Sequence, residues 1–510
     1  MGDAIKNLDL RPAAKKRSFP KKIKRSAFDA ARVSRLTNGW TTIPYNTDTE
    51  VKLSLTALRA RSRNLAFNND YAKRFLNLVK TNVIGHNGIG LQSQAAYPDG
   101  KMDDRANEII EAAYKKWGRK RNCTANKKQS LLSLLTLAVT ALPTDGEILL
   151  RKIPGFKNDN RFALHQYDPD YLDVNLNLDL ANGNQIRMGV EVNRWMEPIN
   201  YHFLTYHPND WTYNRHTGPK KYEVVPASQI IHFYIHERIN QTRGIPWMAT
   251  PAERLYQLGG YEEAELVASR TGASKMGFYK TPAGDEYVGD DEIDEAIESD
   301  ETDRRPVTTA EPATFEQLPE DWDFVPWDPQ HPNSSFESFC KGILRGVASG
   351  LNVSYVALAN DLQGVSYSSI RYGALSDQDM WRMLQALFIA EVMNDFYPEW
   401  LEMSLASGAI NLPLDKFEKF NAAKWQPRGG GWVDPLKEET AAEKAIKNAT
   451  KTPQEIVAGR SGADYYDNIK AIRRAKDAAE AADIKTPALH WWEEKKAKAN
   501  QGGSNAQPAQ

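Results

Sequence analysis

"NQTRGIPWMATPAERLYQLGGYEEAELVASR", residues 240–270, opens on a tight turn and runs into a helix-compatible segment that never settles on one apolar face. Small residues recur at every fourth position instead: Gly260, Ala264, Ala268 and Gly272. Positions four apart share a helix face, and small side chains there let two backbones approach closely. Two readings of this stretch stand side by side. One is a helix packed against copies of itself; the other is an ordinary core helix with loose packing. Either way, a helix over about 249–275 divides a strand-patterned region from mainly helical ones.

Before it, residues 146–235 mix apolar and polar positions at strand spacing, with turn signals at "NGN" (182–184) and "HPND" (207–210). Earlier still, residues 49–85 have helical periodicity, with Leu65, Tyr71, Phe75, Leu78 and Val79 as core contacts. "GHNGIGLQSQA" (85–95) then breaks that helix into a glycine turn and a strand. The fold class read from this pattern is α+β.

After it, "SKMGFYKTP" (274–282), an acidic block and Pro- and Trp-rich pieces read as a small domain inserted between two helices. The second helix is cleaner. "SSFESFCKGILRGVASGL" (334–351) puts Phe336, Phe339, Cys340, Ile343, Leu344, Val347 and Leu351 on one face, and Lys341 and Arg345 on the other. Ser334 and Glu337 suggest a capping box. A third helix follows Ser376, carrying Trp381, Leu384, Phe388, Val392 and Phe396 in register, with a kink or restart expected at Pro398. Asp434–Pro435 and Thr452–Pro453 with Glu455 mark the starts of two C-terminal helices.

The whole chain has 510 residues, enough for about three domains, and a formal net charge of -1 that conceals opposed blocks. "KNLDLRPAAKKRSFPKKIKRS" (6–26) makes the first 45 residues a basic, flexible arm. "GDEYVGDDEIDEAIESDETD" (284–303) holds many carboxylates and no Lys or Arg, the pattern of a solvated face or an interaction surface. Cys123 and Cys340 are too few for a disulfide framework and fit a reducing, cytoplasmic setting. The longest apolar run, "LLSLLTLAVTAL" (131–142), is too short to span a bilayer and reads as a buried helix. No membrane role is expected. Residues 491–510 end in low-complexity sequence and read as disordered.

Motifs for catalysis are missing. "PDGKMD" lacks the upstream glycine and the Ser or Thr of a P-loop, and "GHNGIG" has its glycines in the wrong order for a dinucleotide fingerprint. His232 and His236 lie four apart in a strand-like run, too far along the chain for a compact metal site. "LQGVSYSSIRYG" (362–373) has the polar richness of an active-site loop, yet no Cys or His stands near it. The expectation is a protein without enzymatic activity, cofactor or metal.

Four long segments, in this order, resemble lambda-type tailed-phage portal proteins: "NNDYAKRFLNLVKTNVIGHNGIGLQ", "PASQIIHFYIHERINQTRGIPWMATPAERL", "DPQHPNSSFESFCKGILRGVASGLNVSYVALANDLQGVSYSSIRYG" and "GGGWVDPLKEETAAEKAIKNATKTPQEIV". The resemblance covers roughly residues 50 to 470. It implies a portal-type subunit with an α/β wing (46–248 and 351–430), paired stem helices (249–275 and 333–350), a clip insertion (276–332) carrying the acidic block, and a helical crown (431–490). It further implies a homo-oligomeric ring, usually of twelve copies, at one vertex of the virion head, assembled in the host cytoplasm. Double-stranded DNA would pass through its channel without sequence specificity. Its other implied partners are the terminase large subunit, the major capsid protein and later the head–tail connector protein.

By the same resemblance the segment around 360–372 lines the narrowest part of the channel. Gln363, Ser366, Ser368 and Ser369 would touch phosphates lightly, with Arg371 as the one cation of the stretch. Strong cations in a ring would grip a polyanion and stall it. An interfacial loop between subunits is the alternative for that segment. The small-residue stripe would let stem helices crowd around the bore, with Lys341 and Arg345 as possible channel-facing cations. The alternative for the whole chain is a capsid-associated scaffold or adaptor without a DNA channel.

Overall fold

Two asparagines start the first two helices. In the computed structural model, Asn46 Oδ1 accepts from Thr49 N at 2.8 Å and caps α1 (Thr47–Asn68). Asn69 Oδ1 accepts from Ala72 N at 3.0 Å and caps α2 (Asp70–Val79). Asn69 is itself extended, so the single helix expected over 49–85 is broken there. Its chain direction changes because capping α2 takes Asn69 out of helical geometry. Of the expected contacts Leu65, Phe75 and Val79 are buried, while Tyr71 and Leu78 pack half-buried against the same core. The structure describes residues 41–210, 219–273, 277–280, 323–326, 335–429, 435–461 and 465–481, with Arg35 and Gly39. The basic arm to residue 34, the acidic block and the tail beyond 490 lie outside them.

After α2 a π turn (Lys80–Ile84) leads to β1 (Gly90–Ser93), α3 (Asp104–Trp117) and α4 (Leu131–Asp145). Helix α4 is the apolar run, and most of its Leu, Ala and Val side chains are buried. Next come β2 (Glu147–Pro154), β3 (Phe162–Tyr167), β4 (Leu178–Asp179), β5 (Gln185–Arg187), β6 (Val190–Val192), β7 (Pro198–Leu204), β8 (Tyr222–Pro226) and β9 (Ile230–Tyr234). Strands β4 to β8 form a five-stranded antiparallel meander in chain order. Strand β2 is the centre of a three-stranded antiparallel sheet, β3-β2-β9. The α+β class holds.

Helix α5 (Ala252–Ala273) follows, then an antiparallel pair, β10 (Gly277–Lys280) with β11 (Asp323–Pro326), then α6 (Phe336–Gly350) and α7 (Tyr355–Ala359). Helix α8 (Tyr367–Phe388) continues through a second π turn (Ile389–Met393) into α9 (Asn394–Ala406). Trp381, Leu384, Phe388, Val392 and Phe396 are all buried, as their spacing requires. The restart expected at Pro398 does not occur, since Pro398 lies inside α9. The π turn just upstream already interrupts the hydrogen-bond ladder that a proline would break.

The remaining elements are α10 (Phe417–Phe420), β12 (Ala423–Gln426), α11 (Pro435–Lys447), α12 (Pro453–Ser461) and α13 (Tyr465–Ala481). At α12 the capping box forms as its sequence predicts. Glu455 N donates to Thr452 Oγ1 at 3.2 Å, and Thr452 N donates to Glu455 Oε2 at 2.9 Å. Asp434 and Ser334, the other two expected caps, lie outside the described residues.

One aromatic core joins the two ends of the chain. Trp400 meets Tyr114 edge-on at 5.1 Å and lies 5.8 Å from Trp117, while Tyr114 also contacts Trp425. Strand β12 pairs antiparallel with β1, Trp425 opposite Leu91, which closes a connection of more than three hundred residues. Cys123 and Cys340 are both free and buried. Among the described residues no helix is long and apolar enough to cross a membrane.

Candidate functional site

Helices α5 and α6 pack through a small buried cluster of Leu258, Cys340 and Leu344. Tyr261 stacks on Phe336 at 5.7 Å and meets Phe339 edge-on at 4.9 Å. Phe339 nonetheless remains 51% exposed, so it sits at the rim of the apolar face rather than within it. The Arg254 guanidinium crosses α6 over Gly346, where a Cβ would collide with it.

The other side of α5 is uncovered. Gly260 and Ala264 are exposed, Ala268 is half-buried, and a Cβ on Gly260 would meet nothing within 4 Å. The side-chain surroundings of Gly272 lie outside the described residues. Tyr256, Leu266 and Val267 are also exposed, at 72%, 62% and 53%. Within one subunit Gly260 and Ala264 therefore face outward.

The start of α5 is held by a buried ionic network that sequence reading missed. Glu147, fully buried on β2, accepts from Arg243 Nη2 at 2.5 Å, Arg59 Nη2 at 2.7 Å and the Gly244 backbone N at 2.9 Å. Burial alone would raise its carboxyl, but the Arg243 and Arg59 guanidiniums hold it well below the usual range. Burial lowers the His232 imidazole from its ordinary value. Its Nε2 donates to the Glu147 carboxylate at 3.0 Å, and its Nδ1 meets the Tyr201 hydroxyl at 3.2 Å. Gly146 (φ 88°) and Gly244 press backbone to backbone beside this network, with no room for a Cβ on either. His232 thus serves the network, and His236 lies against Tyr234 instead. Asp168, Asp170 and His207 bring donor atoms within 4.8 Å of one another. The Arg63 guanidinium already bonds both carboxylates, at 2.8 and 2.5 Å.

Beyond α6 the chain turns a corner that is tied back to it. Asn360 (φ 55°) ends α7 in the left-handed region. Asp361 then collects Gln363 N at 2.9 Å, the Tyr355 hydroxyl at 2.9 Å and Lys341 Nζ at 3.2 Å, which together hold its carboxyl below the ordinary range. Lys341 also pairs with Glu337 at 2.6 Å, four positions earlier on α6. Arg345 lies over the Tyr355 ring at 5.6 Å. Lys341 and Arg345 of α6 are thereby both engaged with the corner.

The expected loop over 360–372 is shorter than its composition suggested. Ser366 is the N-cap of α8: its Oγ accepts from Ser369 N at 3.3 Å and shares hydrogen bonds with the hydroxyls of Ser368 (3.0 Å) and Ser369 (2.9 Å). Residues 367 onward are helical. Asp377, further along α8, binds Ser354 through N (2.8 Å) and Oγ (2.6 Å), so both ends of the corner are fixed. Gln363, Ser366, Ser368 and Ser369 are exposed, and Arg371 is half-buried with no ion pair among the described residues. The structure therefore gathers the polar residues at one corner, while the small-residue stripe lies on the free face of α5.

The model for the lambda family of phage portal proteins matches residues 33–385. The chain is 34% identical over 457 residues to a probable portal protein of Halomonas phage phiHAP-1, covering 88% of this chain and 86% of that one. Portal protein B of Escherichia phage lambda is 20% identical over 494 residues, covering 88% of this chain and 89% of that one. Among solved structures, a chain from the neck of a native gene transfer agent particle aligns with a TM-score of 0.42 and 12% identity, over 81% of this chain and 99% of that one.

Proposed function

Because the chain belongs to the lambda family of phage portal proteins, we propose that its copies, twelve by the family's habit, close into a ring whose bore conducts double-stranded DNA during packaging and ejection. The uncovered face of α5 carries this reading. A 22-residue helix buries Ala252, Leu255 and Leu258 within its own subunit and exposes Tyr256, Gly260 and Ala264. A neighbouring copy covers such a face, and a repeated heterologous contact that closes gives a cyclic ring. The wing is then 46–248 with 351–430, the stem is α5 with α6, the 276–332 insertion is the clip, and 431–490 is the crown.

In this ring the corner before α8 faces the bore. Exposed Ser366, Ser368, Ser369 and Gln363 offer hydrogen bonds without fixed charge, at a helix N-terminus whose dipole favours phosphate. Arg371 and Arg345 are the nearby cations without a carboxylate partner among the described residues, whereas Lys341 is neutralised by Glu337 and Asp361. The ring sits at a capsid vertex of the virion, against the major capsid protein, and its clip meets first the terminase large subunit and then the head–tail connector.

Replacing both Ala264 and Ala268 with Leu tests the α5 contact. Added bulk at a close helix interface costs about 1–3 kcal/mol per site, repeated around the ring. Sedimentation should shift to smaller species while circular dichroism keeps the wild-type helix signal. Intact rings from the double variant would place the stripe away from any neighbour.

A further inference from the structure

A second charged feature is left unused by the ring. From Ala112 to Thr144 the chain has no Asp or Glu, yet Lys115, Lys116, Arg119, Lys120, Arg121, Lys127 and Lys128 crowd the end of α3 and the turn to α4. All of these side chains are exposed. Lys116 pairs with Asp159 at 2.8 Å and Lys127 lies over the Phe156 ring at 5.8 Å. Among the described residues the other five pair with no carboxylate.

The turn is rigid. Leu164 N donates to Cys123 O at 2.8 Å, Ala125 N to Leu164 O at 2.9 Å and Leu131 N to Gly118 O at 2.9 Å, while Asn158 Nδ2 donates to Asn122 O at 2.7 Å. Two cations occupy left-handed backbone, Arg121 at φ 78° and Lys127 at φ 55°. Glycine or asparagine would adopt that conformation at less cost. Gathered like charges also repel one another, so the fold itself gains nothing from this composition.

Two grooves adjoin here at Ser130 and Leu132. One is flanked by Lys115, Arg119 and Lys120, the other by Lys80, Gln129 and Ser133. Cations, hydroxyls and amides are the groups that contact phosphate and sugar, not base edges. No exposed aromatic ring among the described residues of the turn offers a stacking platform, which favours duplex over single strands. We propose that this surface binds the phosphate backbone of duplex DNA, without sequence preference and outside the bore. Its position outside the bore rests on the ring reading; its chemistry does not.

The test uses covalently closed circular duplex, which cannot thread a closed ring. Assembled wild-type rings should retain the circles, with log affinity falling linearly with log salt. Arg119→Ser/Lys120→Ser should bind at least about tenfold more weakly and reduce the salt slope by about two. Arg121→Gly should also weaken binding while its melting temperature stays level or rises, a pair of results that a merely structural arginine would not give. Arg371→Glu should leave circle binding unchanged. Rings that form but ignore circles overturn the proposal, as does circle binding that survives the double substitution. Displacement by poly-glutamate in preference to DNA would assign the surface to an acidic protein instead. If no ring forms, the ring reading fails, and the same titration on isolated subunits decides the patch by itself.

Discussion

At the scale of single residues, Glu147 carries the most weight. It joins β2, α1 and the segment entering α5, and its partners stand 88, 96 and 85 positions away. No local pattern in the sequence could reveal such a cluster, because Arg59 and Ser62 occupy buried positions on α1 and blur its apolar period. Glu147→Gln leaves two buried guanidiniums short of a counter-charge and should destabilise the subunit by about 3–5 kcal/mol in chemical denaturation. Stability should also depend on pH. His232, lowered from its ordinary 6.5, takes up a proton in the unfolded chain before it does so in the fold, so its contribution fades as pH falls below 6.5. Glu147, depressed from 4.5, adds a second loss as pH falls below that value. Both terms therefore have the same sign, and melting temperature should decline on acidification with no matching decline from 7 to 8. At the corner, Arg371→Glu should permit assembly but lower DNA filling of heads more than Arg371→Ala does, because carboxylates repeated around a confined bore repel a polyanion. Equal filling would remove this residue from the DNA path.

At the scale of elements, apolar period located the long helices well and their ends less well. The buried register of α8 and α9 followed directly from spacing, as did Cys340, Leu344, Val347 and Leu351 at α6, whereas Phe339 stayed at the rim. The start of α8 did not, because residues 368 to 376 have no fully buried side chain to mark a period. The signal available was chemical: Ser366 followed three residues later by Ser369, preceded by Gly364 in a left-handed turn at φ 66°. Similarly, Asn69 could be read as a cap only by giving one asparagine more weight than a continuous helical pattern. Ser366→Ala removes the cap and its shared hydroxyl bonds. It should cost about 0.5–2 kcal/mol and speed amide exchange in the first turn of α8, while exchange in α9 stays unchanged. Unchanged protection in the first turn of α8 would mean that Asp377 and Ser354 alone hold the corner.

At the scale of the molecule, the family was legible because a few long segments resemble it, and the matching family model spans residues 33–385. The relation of one copy to another is not written in one chain's periodicity. What the fold adds is helix α5 with exposed Tyr256, Gly260 and Ala264, and a polar corner tied back to α6. Both belong together if copies surround a common axis. Single-particle electron microscopy of the purified assembly tests that claim most directly. The account predicts a perforated ring, with α5 of each copy against its neighbour and residues 360–371 at the narrowest part of the bore. A filled particle, or a ring whose 360–371 segments point away from its axis, would contradict it.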